Sequence, residues 1–112
     1  MSRGKYLGEF EQMVLLVVAR LGDGAYGMSI RREIEACSGR HVAIGAVYAT
    51  LERLREKKYV QTSAGDTSPE RDGRARKFFA LTESGVDVLE KARTVQERLW
   101  AGLDLRRDEG KT

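Results

Sequence analysis

The chain is predicted to be mainly α-helical with one small β-hairpin, and three features of its 112 residues carry that prediction. Apolar residues recur at helical spacing in three successive segments before residue 57. Two aromatic and β-branched stretches then flank a loop rich in Gly, Asp and Ser, and a long amphipathic run follows. The order is helix, helix, helix, two-stranded hairpin, long helix. Three compact helices followed by a hairpin form the winged helix-turn-helix arrangement, whose third helix enters a DNA groove.

The first helix is read over "LGEFEQMVLLVVARL", residues 7–21. Every residue from Met13 to Ala19 is apolar, which predicts burial on nearly all sides. "VLLVV" alone also fits a strand; the total length and the flanking Glu9, Glu11 and Gln12 favour a helix, stopped by "GDG" at 22–24. The second helix, "YGMSIRREIEAC", places Ile30, Ile34 and Cys37 on one stripe and ends at "SGR". After it, "HV" at 41–42 leaves room only for a minimal strand.

The third helix lies in "AIGAVYATLERLREKKYV", residues 43–60, with Ile44, Val47, Leu51 and Leu54 facing the core. Its opposite side opens with Gly45, Ala46 and Ala49 and is charged only from Glu52 onward. Gly45, Ala46, Ala49 and Arg53 fall within about 100° of one another. Small residues there permit close approach to base edges, and alanine can touch a thymine methyl. From periodicity alone, packing against a neighbouring helix explains them equally well.

"YVQTS" at 59–63 and "RKFFALT" at 76–82 have strand composition, and "AGDTSPERDGRA" between them makes a long hairpin tip. Alternation sends Phe79 and Leu81 to one face, with Phe79 in the core, and Phe78 to the other. Thr82 is placed to cap a last helix predicted over 83–105, about 34 Å long. Its seam is Val88, Ala92, Val95, Leu99 and Leu103. The predicted division is a winged helix-turn-helix DNA-binding domain over 1–82, a dimerisation helix over 83–105 and a disordered polar tail over 106–112.

Composition narrows the function. A net charge of +3 permits an anionic partner without demanding one. No apolar run approaches membrane-spanning length and the N-terminus lacks a secretory pattern, so a cytoplasmic setting is expected. Cys37 is the single cysteine and fits a reducing compartment; on its apolar stripe it reads as a buried thiol, with a dimer-spanning bond the one redox route open to it. Cys37 and His41 are too few for a metal site, and no cofactor is expected.

With these residues in view the chain resembles the PadR family of bacterial winged-helix transcriptional regulators, in its short form with one C-terminal helix. The match rests on "YG" at 26–27, "VYATLERLREKKYV" at 47–60 and "GRARKFFALTESG" at 73–85. Two positions depart from the pattern. Ala49 follows Tyr48 where members often have proline, and Lys58 stands where many have glycine, which bears on the turn into the hairpin. The resemblance implies a homodimer held by the first and last helices, binding a palindromic operator and usually repressing transcription. It also implies, for some members, release by a small aromatic or lipophilic effector.

Under that resemblance DNA contact is favoured for Gly45, Ala46 and Ala49, and Tyr48 is expected to reach a phosphate rather than serve only as an edge-of-core residue. Arg53 is either a phosphate clamp or the partner of Glu52, Glu56 or Glu33. Residues 71–77 of the wing carry Arg71, Arg74, Arg76 and Lys77 against Asp72 alone, and a basic wing can lie on phosphates or in a minor groove, although charge runs are often only solvated loops and Asp66 and Glu70 dilute this one. Ser29 and Arg31 near the start of the second helix are candidates for backbone contact, with plain surface residues the alternative. Lys5 and Tyr6 are placed to reach the same backbone. Trp100 reads as dimer packing, or as a platform for a planar ligand.

Three function classes compete. A dimeric DNA-binding regulator leads; a winged-helix module that binds another protein is the rival. An enzyme is disfavoured: "GDGAYG" follows no convincing strand, there is one His, and no nucleophile signature is present.

Overall fold

The structure is a computed structural model that describes residues 6–67 and 75–106, with the backbone alone at 64–67 and 75. Helix α1 spans Glu9–Leu21, α2 Gly27–Ser38 and α3 Ile44–Glu56; strands β1 (Val60–Thr67) and β2 (Ala75–Leu81) precede α4 (Glu83–Trp100). The strands pair antiparallel with Val60 opposite Leu81 and Thr62 opposite Phe79, and the register shifts between Ala64 and Thr67. Beyond 67 the hairpin tip lies outside the described residues.

The core forms where the helical stripes meet the inner face of the hairpin. Val14, Leu15, Val17 and Val18 of α1 pack with Ile30 and Ile34 of α2, Val47, Leu51 and Leu54 of α3, and Val60 and Phe79 of the strands. Phe79 is buried as alternation requires.

Helix α1 is not buried all round, however. Leu16 is 50% exposed and Ala19 and Arg20 also face outward. The sequence run is apolar on every side, but the elements of one chain cover only part of a cylinder. Conversely the charged Glu11 is only 8% exposed.

The minimal strand also lies elsewhere. His41 and Val42 are not in a strand; instead Tyr26, just before α2, bridges to Phe78 of β2. The Phe79 N–H donates to the Ala25 carbonyl at 2.8 Å, so the chain between α1 and α2 forms the hairpin's third edge.

Glycines end the first two helices. The Gly22 N–H (φ 57°) donates to Val18, and the Gly39 N–H (φ 72°) to Glu35. Helix α3 closes in the same left-handed manner with Lys58 at φ 68°. There the Lys58 N–H donates to Arg55 and the Tyr59 N–H to Leu54, the two bonds of a Schellman cap. This is the position where the family pattern favours glycine.

Thr82 locks that turn to α4. Its N–H donates to the Tyr59 carbonyl at 3.0 Å, its hydroxyl donates to the Lys58 carbonyl at 2.6 Å, and its oxygen accepts from the Gly85 N–H at 3.0 Å. A side chain at Gly85 would collide with the Tyr59 carbonyl, which explains the Leu-Thr-x-x-Gly signature at 81–85.

Helix α4 ends at Trp100, five residues short of the predicted 105. The seam periodicity continues to Leu103, but the backbone leaves the helix at Ala101 and turns at Gly102, φ 80°. At 1.5 Å per residue its 18 residues extend about 27 Å. Val88 and Leu89 pack on the core, whereas Val95, Leu99, Trp100 and Leu103 are exposed, Leu99 to 67% and Trp100 to 58%. Of the tail predicted over 106–112, Arg106 is described, exposed and helical together with Leu105; residues 107–112 lie outside the described residues.

Candidate nucleic-acid interface

Helices α2 and α3 are joined by a turn that α2 itself holds. Arg31 Nε donates to the Val42 carbonyl at 3.0 Å and pairs with Glu35 at 3.5 Å. Glu35 Oε2 accepts the Val42 N–H at 3.1 Å and meets His41 Nδ1 at 3.3 Å. The Val42 N–H, followed by His41 and Arg31, holds the Glu35 carboxyl below the usual carboxylate range despite its partial desolvation.

Ser29 closes the other end of α2. It accepts the Tyr26 N–H at 2.9 Å, and its hydroxyl lies 2.6 Å from the Gly24 carbonyl and 3.0 Å from that of Tyr26. The polar groups of Ser29 and Arg31 near the start of α2 are therefore engaged inside the fold.

The leading face of α3 differs. Gly45, Ala46, Tyr48 and Ala49 are all exposed, and a side chain at Gly45 would meet nothing within 4 Å. Among the described residues, Gly45, Ala46 and Ala49 are exposed to solvent, and on this face only Tyr48 meets another helix, at Gly27 of α2.

Arg53 continues the same stripe, but its partners are not the expected Glu52, Glu56 or Glu33. It pairs with Glu11 of α1 at 3.6 Å and donates to Thr50 Oγ1 at 3.1 Å. Lys57 Nζ reaches the same Glu11 oxygen at 3.0 Å, and the Gly8 N–H donates to the other at 3.0 Å. Burial alone would raise the Glu11 carboxyl; Gly8, Lys57 and Arg53 outweigh it and hold the group below the ordinary range. Glu52 instead bonds Arg55 at 2.8 Å, which is the main cause of its own lowering, with Lys77 of β2 adding to it.

Tyr48 links α3 to the start of α2. Its ring occupies the space that a Gly27 side chain would fill, and the residue stays 47% exposed. The adjoining Tyr26 carries the base of the wing. The Arg76 guanidinium lies over the Tyr26 ring at 4.0 Å, and Phe78 meets that ring edge-on at 5.7 Å. Lys77 is exposed.

The residues named from sequence thus separate. Gly45, Ala46, Tyr48, Ala49, Arg76 and Lys77 belong to the surface formed by α3, the start of α2 and the wing base. Tyr6 is exposed ahead of α1. Lys5, Arg71 and Arg74 lie outside the described residues. Tyr26 was legible only as part of the "YG" motif, and nothing in its spacing pointed to the stack with Arg76.

Cys37 is exposed rather than buried, its Sγ 3.4 Å from Glu33 Oε2. The Ile30–Ile34–Cys37 stripe reaches the outer end of α2, beside the exposed Arg20–Glu33 pair, where the core no longer covers it. No group of three His, Cys, Asp or Glu suited to a metal forms among the described residues, and no helix there is long and apolar enough to cross a membrane.

Three helices, a bridged hairpin and an unpartnered leading face on the third helix define the winged-helix class of DNA-binding proteins. The model of the transcriptional regulator PadR-like family matches residues 14–91, and the chain belongs to that family. RosR of H. salinarum superposes with a TM-score of 0.69 at 27% identity, over 99% of this chain and 91% of that one. The PadR-like regulator of Bacillus cereus gives 0.61 at 21% identity, over 84% and 93%, a likeness of fold. RosR is archaeal, so the fold is not confined to bacteria. An uncharacterized 37.1 kDa protein in transposon Tn4556 of Streptomyces fradiae is 35% identical over 86 residues. Those residues are 76% of this chain, which spans about a quarter (23%) of that relative.

Proposed function

We propose that this DNA-binding regulator acts as a homodimeric repressor of a palindromic operator. The observation that carries the reading is the leading face of α3: among the described residues Gly45, Ala46 and Ala49 are exposed and uncharged, with open space beside Gly45. Tyr48 beside them, and Arg76 and Lys77 on the wing base, supply a hydroxyl and two cations for phosphates; Arg71, Arg74, Lys5 and Tyr6 extend the same electrostatic contact. Arg53 completes the stripe while tied to Glu11. Ser29 and Arg31 act on DNA only indirectly, Ser29 by closing the start of α2 and Arg31 by holding the turn into α3.

In this reading residues 1–82 bind DNA and the following helix pairs with a second copy. Leu16 of α1 and Val95, Leu99, Trp100 and Leu103 at the distal end of α4 are apolar and exposed, a pattern that an isologous partner would cover. Val88 and Ala92, half-buried, form the inner end of that seam. Pairing would set two α3 helices about 34 Å apart, one DNA turn. A planar aromatic or lipophilic effector seated at Trp100 would rotate the long helices and spoil that spacing, in a cytoplasmic setting.

The test is selection of bound sequences from a randomised duplex pool at moderate salt. An inverted repeat with half-sites one helical turn apart is the expected result. No enrichment by a folded, dimeric protein would favour the alternative, a winged-helix module that binds another protein.

A further inference from the structure

The wing base contains a cation whose orientation is fixed by a residue outside the predicted contact set. Arg76 follows Ala75 at the start of β2, where a long side chain on a strand has many rotamers. Here its guanidinium is stacked over the Tyr26 ring with its Cζ 4.0 Å from the centroid. Its Nε is buried without a hydrogen-bond partner among the described residues, and no described carboxylate pairs with the group.

Several other cations on the domain are paired with carboxylates: Arg20 with Glu33, Arg31 with Glu35, Arg53 and Lys57 with Glu11, Arg55 with Glu52. Arg76 is held by an aromatic face instead, which orients a guanidinium without occupying its terminal donors. Tyr26 is in turn fixed three ways. Its N–H donates to Ser29 Oγ, its backbone bridges to Phe78, and the Phe78 ring meets its edge at an interplanar angle of 82°. The stack also adjoins Gly27, over which Tyr48 of α3 lies.

We infer that Tyr26 is a positioning residue for DNA binding: its ring holds the Arg76 guanidinium flat, with the terminal nitrogens presented to a backbone phosphate beside α2. The inference rests on the DNA-binding reading of this surface. Tyr26 does not itself touch DNA. It removes rotamer freedom from Arg76 in the free protein, so less is lost when the phosphate is bound.

The experiment is fluorescence anisotropy with a labelled mixed-sequence duplex of about three helical turns, titrated at salt concentrations from about 50 to 200 mM. Arg76→Ala is expected to weaken binding and to lower the slope of log affinity against log salt by about 0.9, the loss of one phosphate contact. Tyr26→Leu should weaken binding about three- to tenfold in the wild-type background and change nothing in the Arg76→Ala background. Tyr26→Phe keeps the ring face and should bind as wild type. Pentafluorophenylalanine at position 26 keeps the ring's shape but reverses its charge distribution, and should behave as Tyr26→Leu even if the leucine variant fails to fold.

Additive losses for Tyr26→Leu and Arg76→Ala would overturn the inference. So would Tyr26→Phe losing affinity, which would make the hydroxyl a contact, or the fluorinated ring binding as wild type. If the wild-type protein, folded, shows no salt-dependent duplex binding, the DNA-binding reading of this surface fails, and the inference with it. Salt-dependent binding that Arg76→Ala leaves unchanged removes the inference alone.

Discussion

Helices α2 and α3 are adjacent and nearly equal in length, yet they treat their polar groups in opposite ways. Helix α2 turns Ser29, Arg31 and Glu35 inward on backbone groups at its own ends and on the turn into α3. Helix α3 leaves its leading face without a polar side chain except Tyr48, and gathers its charges at its far end. On the proposed reading the difference separates the roles: α2, whose Ser29, Arg31 and Glu35 are used on the fold, is the brace, and α3, whose leading face is exposed among the described residues, is the helix offered to DNA. Residue type alone points the other way, since serine and arginine are common phosphate ligands and alanine is not.

The largest stability effect is expected at the charged end of α3. Glu11 accepts from Gly8 and Lys57 and pairs with Arg53, so Glu11→Gln should cost about 1–2 kcal/mol at neutral pH. Because the folded Glu11 carboxyl lies below its ordinary value, its contribution is present above the unfolded value of about 4.5 and is lost as pH falls through the folded one. Denaturation of both proteins from pH 7 down to about 3 should therefore show their difference narrowing in acid. A constant difference would mean that Glu11 contributes packing rather than charge.

The brace is tested by Arg31→Ala, expected to cost about 1 kcal/mol through the lost bond to the Val42 carbonyl. Its salt slope on duplex DNA should equal that of wild type. A slope lowered by about 0.9 would make Arg31 a phosphate ligand and erase the contrast between the two helices.

The smallest effect is a gain. Lys58→Gly relieves a left-handed lysine in the cap of α3 and should stabilise by about 0.5–1 kcal/mol. A loss would show that the Lys58 side chain contributes more than its backbone conformation costs.

Much of this was legible in sequence because it rests on local rules. The element order, the core positions Val47, Leu51, Leu54 and Phe79, the glycine stops and the Thr82 cap follow from periodicity and capping chemistry. What was not legible depended on which surfaces other elements reach. Leu16 and Cys37 have the pattern of buried residues but are left exposed by the described elements. The burial of Glu11 depends on Lys57, forty-six residues away, which comes to meet it. The end of α4 was in principle readable: Gly102 follows Trp100 closely, but the hydrophobic seam ran past it. At the candidate site, the bare face of α3 was visible as a run of small residues, whereas the Tyr26–Arg76 stack required the hairpin to fold back against the start of α2.

The most direct test of the central claim places one negative charge on the unused face. Ala49→Glu substitutes an exposed helical position, so thermal unfolding should stay within about 0.5 kcal/mol of wild type. Duplex affinity measured by anisotropy should fall on the order of 100-fold, through repulsion between the carboxylate and the phosphates it would approach. A folded Ala49→Glu protein that binds the duplex as tightly as wild type would contradict the assignment of α3 as the helix that enters the groove.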